Sequence, residues 1–217
     1  MNYQLPDLRQ HALATTNWQT IQQRVALLHE LTTGSIGIGE LCCGDCSRQW
    51  QAYTEQLGCS RFLGLDIEPQ IVARNRAKGI PCVQGDVMDR QALAQFQDFA
   101  VLFFGPPLSQ RCGIHRPLAF RDIQPRYDQV ARLLLGELGY DGLLVCICPK
   151  TTDMGDITWL YQQIRLSRPD IGLRLIHHSY ATVTGGGDQT EMRLKYVELW
   201  FSSQLEDAWE LRVGKPI

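Results

Sequence analysis

Apolar positions along the chain switch repeatedly between two spacings. Residues 17–32 carry Ile21, Val25, Leu27, Leu28 and Leu31 at mixed three- and four-residue steps, the mark of an amphipathic helix. Residues 35–43 (SIGIGELCC) follow as a continuous apolar run, the pattern of a strand buried on both faces. The helical spacing returns at 47–57 with Trp50, Tyr53 and Leu57, and the alternation continues. Strands are predicted at 61–67, 81–87, 100–105 and 142–149, with helices at 69–78, 89–96, 124–139 and 156–167. Pro69 suits the first turn of its helix, and Asp89 and Asp156 suit caps. The ending differs: 173–184 and 191–202 read as two long antiparallel strands around a turn at Gly185, Gly186 and Gly187. Five short apolar strands alternating with helices require a parallel sheet covered on both faces, to which the closing hairpin adds an antiparallel edge.

The 217 residues suffice for one large domain, with 1–33 as a helical extension before it. No apolar run reaches the roughly 20 residues that span a bilayer, and the N-terminus lacks a basic segment followed by an apolar one. A cytoplasmic location without membrane association is therefore expected. The net charge of −2 excludes a global basic field that would draw the protein to nucleic acid. Of the eight cysteines, Cys43 and Cys46 form a C-x-x-C, but no second ligand pair stands at a zinc-site spacing. His177 and His178 are neighbours and would point to opposite faces of a strand. Free thiols in a reducing compartment are expected, with Cys82, Cys146 and Cys148 acting as small core hydrophobes, and no metal site.

In a sheet of this kind ligands bind beyond the carboxyl ends of the strands, where the strand order reverses. After the first strand comes Glu40-Leu-Cys-Cys-Gly44-Asp45-Cys46-Ser47, whose glycine lets backbone approach a ligand closely. Asp66, at the end of the second strand, suits two hydrogen bonds from ribose hydroxyls. Asp86 follows the third strand, and Gly105-Pro106-Pro107 the fourth. The absence of G-x-G-x-x-G argues against a nicotinamide enzyme, because a pyrophosphate needs that close backbone approach.

Glu40 to Ser47, Asp66, Gly85-Asp86-Val87 and Gly105-Pro106-Pro107 resemble the successive motifs of class I S-adenosylmethionine-dependent methyltransferases, over about residues 35–150. The resemblance implies a single Rossmann-like three-layer α/β domain with S-adenosylmethionine as cofactor. It also implies a cofactor set of Glu40, Cys42, Gly44, Asp66, Ile67, Asp86, Val87 and Gly105. Gly44 would lie against the methionine part, Asp66 would hold the ribose, Asp86 would accept from the adenine amino group, and the Val87 backbone would serve the ring edge. The chain departs from the family at the glycine loop, keeping one glycine and placing Cys42, Cys43 and Cys46 among the substitutes.

Phe103-Phe104-Gly105-Pro106-Pro107-Leu108-Ser109 resembles the Asp/Asn-Pro-Pro-Tyr motif of enzymes that methylate planar amines or amides. Gly105 replaces the polar residue and Leu108 the aromatic, which leaves rigid backbone carbonyls at Gly105, Pro106 and Pro107 and offers Phe103 or Phe104 for stacking. The segment is similar to the Gly-Pro-Pro of cytosine-C5 methyltransferases too, but Leu108 stands where their nucleophilic cysteine follows. Residues 105–132 carry Arg111, Arg116, Arg121, Arg126 and Arg132 against Asp122 and Asp128, so this stretch offers contacts to phosphates of a nucleic acid or of a small phosphorylated acceptor. Solvated arginines are an equal reading. His115 is a candidate general base, and Lys150 and Asp153 candidate acceptor contacts.

The first expectation is N-methylation of a planar nitrogen on a nucleobase of RNA or DNA. Two others stand beside it: a small-molecule methyltransferase, and a non-catalytic binding module of the same fold. Lack of a separate target-recognition segment suggests dependence on a partner subunit.

Overall fold

A computed structural model describes residues 18–32, 34–107, 111–112, 116–149, 151–184, 191–206 and 212–213, with backbone alone at 18–19, 111–112, 116–117, 177–184, 191–196 and 212–213. The chain alternates as its apolar pattern predicts. Helix α1 (Trp18–Leu31) leads to β1 (Gly37–Leu41), α2 (Ser47–Gln56), β2 (Arg61–Asp66), α3 (Pro69–Ala77) and β3 (Cys82–Gln84). Then come α4 (Arg90–Ala94), β4 (Val101–Phe104), the two-residue strands β5 (Arg111–Cys112) and β6 (Arg116–Pro117), and α5 (Tyr127–Ala131). Strand β7 (Leu143–Pro149), α6 (Met154–Ser167) and the hairpin β8 (Gly172–Thr184) and β9 (Glu191–Ser202) close the domain, with a short β10 (Arg212–Val213).

Among the described residues the main sheet runs in the order β10-β8-β9-β7-β4-β1-β2-β3. Strands β1, β2, β3, β4 and β7 are mutually parallel, and β9 lies antiparallel between β7 and β8. The order reverses between β1 and β4, where Leu41 pairs with Phe104. Period-two alternation sorts the core into two layers. Leu41, Leu65, Leu102, Phe104, Leu144, Cys146, Leu199 and Phe201 face α4, α5 and α6. Ile38, Phe62, Val101, Phe103, Val145 and Trp200 face the other layer, where Ile21, Val25 and Leu28 of α1, Tyr53 of α2 and Val72 of α3 cover them. Three layers result, as expected.

Several local expectations need correction. The helix expected at 124–139 is split into α5 and a π-helical turn, Arg132–Glu137. Pro125 and the extended Arg126 delay its start. In the π turn the Leu138 N–H reaches back to the Leu133 carbonyl, and Gly136 lets that turn approach Ser167 of α6. The cap of α6 is Asp153, whose carboxylate accepts the Asp156 N–H, rather than Asp156. Asp89 does cap α4, accepting from the Gln91 N–H, and Pro69 opens α3. A 3-10 turn at Phe120–Asp122 was not foreseen.

Candidate functional site

The reversal of strand order brings the β1 loop and the β4 loop together. The Gly105 N–H donates to the Leu41 carbonyl at 3.4 Å, so Gly105 sits directly beside Cys42. Beyond Leu41 the backbone turns left-handed at two positions, Cys42 (φ 57°) and Gly44 (φ 53°). A non-glycine residue in that region is held there against its own steric preference. Cys42 thus takes, without being a glycine, the left-handed backbone that favours one.

Asp66 organises this loop from β2. One carboxylate oxygen accepts the Gly44 N–H at 2.9 Å, and the other accepts the Glu68 N–H at 3.0 Å. Burial raises the pKa of Asp66, and the backbone N–H groups of Glu68, Gly44 and Ile67 act against that rise. Each oxygen keeps a second lone pair for a further donor. Asn75, buried on α3, holds the same loop from below by donating to the Gly44 carbonyl at 2.8 Å. Asp45 is engaged with Lys78 at 2.7 Å and with Ser47, and these contacts outweigh its burial to keep its pKa below the usual carboxylate value.

Large apolar side chains are exposed along this edge. Among the described residues four large apolar side chains are exposed: Ile67 (59%), Met88 (39%), Met154 (50%) and Leu166 (80%). The first three stand at the carboxyl ends of β2, β3 and β7, along one edge of the sheet. Asp86 is exposed on the same edge and accepts the Met88 N–H at 2.8 Å, whereas the Val87 side chain turns into the core. Pro106 is buried and Pro107 exposed, and a Cβ on Gly105 would come within 3.2 Å of Ile147.

Glu40 is enclosed within the protein. It is 4% exposed, on the α1 side of the sheet, and accepts a 3.3 Å hydrogen bond from the Tyr53 hydroxyl. Burial drives its pKa up to about 7, against the opposing effects of Arg24 and Tyr53. Beside it Arg24 of α1 forms a fully buried ion pair with Glu198 of β9, and the Trp200 indole N–H donates to the same carboxylate at 3.1 Å. The Arg24 guanidinium also covers the Phe103 ring at 4.9 Å. Sequence reasoning overlooked this cluster. Its signal was present, since Arg24 occupies the apolar stripe of Ile21, Val25 and Leu28, and Glu198 interrupts an otherwise apolar strand.

Phe103 and Phe104 are unavailable for stacking on an acceptor, because neither is exposed. Phe103 stacks on Tyr53 with centroids 5.7 Å apart, and Phe104 meets the edge of Tyr127 at 5.4 Å. A strand between two helical layers has no outward face, so both rings enter the core. Two of the candidate phosphate contacts are already paired: Arg126 bidentately with Asp128 at 2.9 and 2.8 Å, and Arg121 with Asp156 at 3.5 Å while covering Trp159. The side chains of Arg111 and Arg116, together with Leu108, His115, Lys150 and Gly185–Gly187, lie outside the described residues. Cys42, Cys43, Cys46, Cys59, Cys82, Cys146 and Cys148 are free thiols.

No protein-family model and no curated protein matches the sequence. Solved structures do match the fold. The methyltransferase domain of bacterial CtHen1-C superposes with a TM-score of 0.57 at 11% identity, covering 85% of this chain and 97% of that one. A SAM-dependent methyltransferase from Archaeoglobus fulgidus gives 0.54 at 9% identity, with 86% and 95% covered. A precorrin-6y C5,15-methyltransferase from Geobacter metallireducens gives 0.50 at 14% identity, with 85% and 88% covered. The chain shares the Rossmann-like fold of these methyltransferase structures. No helix among the described residues is long and apolar enough to cross a membrane.

Proposed function

We propose that the protein transfers a methyl group from S-adenosylmethionine. The observation that carries this reading is the pairing of the Asp66 carboxylate with the Gly44 N–H beneath a left-handed Cys42, at the point where strand order reverses. The residues fit the cofactor: Asp66 retains acceptor capacity for ribose hydroxyls, and Ile67 and Met88 are exposed apolar side chains that would pack against the adenine. Asp86 accepts from the adenine amino group, and Gly44 and Cys42 line the methionine part. S-adenosylmethionine, when bound, supplies a methyl group already activated on a sulfonium.

The chain's own work is then placement. The rigid Gly105-Pro106-Pro107 backbone, hydrogen-bonded to Leu41, offers carbonyls that orient a planar amine and exclude water beside the cofactor loop. No separate strong base is demanded when the amine loses its proton after attack.

A nucleobase nitrogen of RNA or DNA is one acceptor consistent with that backbone, with Arg111 and Arg116 as its phosphate contacts, alone or beside a partner subunit. A small-molecule acceptor is favoured by two observations: Phe103 and Phe104 are buried, and the Arg121 and Arg126 charges are met by carboxylates. Calorimetric titration with S-adenosylmethionine and S-adenosylhomocysteine tests the cofactor reading, and labelled-methyl transfer to RNA, DNA and metabolite extract separates the acceptors. Absence of binding by folded protein would leave a non-catalytic binding module.

A further inference from the structure

Two buried thiols meet beneath the cofactor loop. Cys43 lies between the left-handed Cys42 and Gly44, and Cys82 opens β3 on the far side of β2. Between them stands Gly64, which pairs with Cys82 in the β2–β3 register. Its missing side chain makes their meeting possible, since a Cβ there would sit 2.9 Å from the Cys43 sulfur and 3.3 Å from that of Cys82. The sulfurs are 3.7 Å apart. Asn75 donates to the Gly44 carbonyl, and the same amide nitrogen lies 3.7 and 3.8 Å from the two sulfurs.

We propose that Cys43 and Cys82 are an oxidisable pair, which a hydroperoxide converts to a disulfide that withdraws the cofactor loop from its seat. Only the consequence for ligand binding rests on the cofactor reading above. A disulfide needs a sulfur–sulfur distance of about 2.05 Å, so the thiols must close by more than an ångström. Cys82 is held in the ladder between β2 and β3, whereas Cys43 sits in a loop tied to β2 by its own N–H on the Leu65 carbonyl at 3.0 Å, so the movement falls on Cys43 and on that bond. Gly44 moves with it, and the hydrogen bonds from Gly44 to Asp66 and from Asn75 to Gly44 are broken.

Chemistry assigns the roles. Donation from the Cys43 thiol and the Asn75 amide, against the effect of burial, holds the Cys82 pKa below the usual thiol value. Cys82 is therefore the better thiolate and the attacking group. Its sulfur attacks one peroxide oxygen: an S–O bond forms, the O–O bond breaks, and the departing hydroxide is protonated to water. Cys43 then attacks the Cys82 sulfenic acid. The S–S bond forms, the S–O bond breaks, and hydroxide leaves with the Cys43 proton as a second water. Two thiols lose two electrons and one hydrogen peroxide becomes two waters.

The test treats the reduced full chain with hydrogen peroxide, alkylates under denaturing conditions and maps non-reduced tryptic peptides. The expected product joins the Cys43 peptide to the Cys82 peptide with loss of two hydrogens. It disappears in Cys43→Ser and Cys82→Ser and persists in Cys42→Ser and Cys46→Ser, while the wild-type map needs no variant to fold. A bond between Cys43 and Cys46, or over-oxidation of one cysteine without a link, overturns the proposal. Oxidised protein should bind S-adenosylhomocysteine at least tenfold more weakly, with recovery in dithiothreitol. Unchanged affinity in the linked protein overturns loop withdrawal. Should reduced protein bind no ligand, the cofactor reading fails by itself. Hydrogen exchange at residues 42–46 then decides loop withdrawal: faster exchange after oxidation supports it, and unchanged exchange overturns it.

Discussion

The Asp66 carboxylate accepts the Gly44 N–H at 2.9 Å across 22 residues of chain, tying the end of β2 to the loop after β1. The same carboxylate shapes the loop and, on the proposed cofactor reading, would take the ribose hydroxyls. Asp66→Ala should weaken S-adenosylhomocysteine binding by about 100-fold, the loss of two charge-assisted hydrogen bonds. Calorimetric titration checks this, and retained affinity would remove Asp66 from the site.

Glu40 sets a pH dependence of stability. Burial raises its pKa from 4.5 in the unfolded chain to about 7 in the folded protein. The folded state therefore holds the proton more tightly. The associated stability is complete below pH 4.5 and is lost as pH rises through 7, on the order of 3 kcal/mol in all. Glu40→Gln, which mimics the protonated carboxyl, should remove this slope in urea titrations between pH 5 and 8. An identical slope in both proteins would mean that Glu40 ionises freely in the fold.

Arg24 fastens α1 to β9 through Glu198, with both side chains fully buried. Arg24→Met leaves the Glu198 carboxylate buried without its cation and should cost about 3–5 kcal/mol. The double substitution Arg24→Met with Glu198→Gln should recover most of that loss. Chemical denaturation of the four proteins of this cycle measures the coupling, and additive losses would argue against a working ion pair.

Gly64 is required for space rather than for backbone freedom. Gly64→Ala drives a methyl group to 2.9 Å from the Cys43 sulfur. It should cost about 1–3 kcal/mol and weaken S-adenosylhomocysteine binding as the loop is displaced. Adding Cys43→Ala should restore much of the binding, because it removes the nearest clashing atom and leaves only the 3.3 Å contacts to the Cys43 Cβ and the Cys82 sulfur. Thermal denaturation and calorimetry read both effects.

Much of the fold was legible because burial on both faces leaves a distinct record. The continuous apolar runs at β4 and β7, separated by amphipathic helices, admit little other than a parallel sheet. The hairpin β8–β9 was legible from the length of its two strands. The split of the helix after Pro125 was not, since a π turn leaves the apolar spacing nearly intact and depends on the close approach of Ser167 to Gly136.

The candidate site divides the same way. Glycine, aspartate and proline at the carboxyl ends of successive strands mark positions by their order alone, so Gly44, Asp66, Asp86 and Gly105-Pro106-Pro107 could be named from sequence. Sequence order does not determine which neighbours a side chain meets. Only the tertiary structure turned Phe103 and Phe104 into the core, paired Arg121 and Arg126 with carboxylates, enclosed Glu40 beside Arg24 and Glu198, and brought Cys43 over Gly64 to Cys82. Periodicity is a local property of the chain, written in each segment. Pairing between residues far apart arises from packing, when the sheet brings separate strands within a few ångströms of one another.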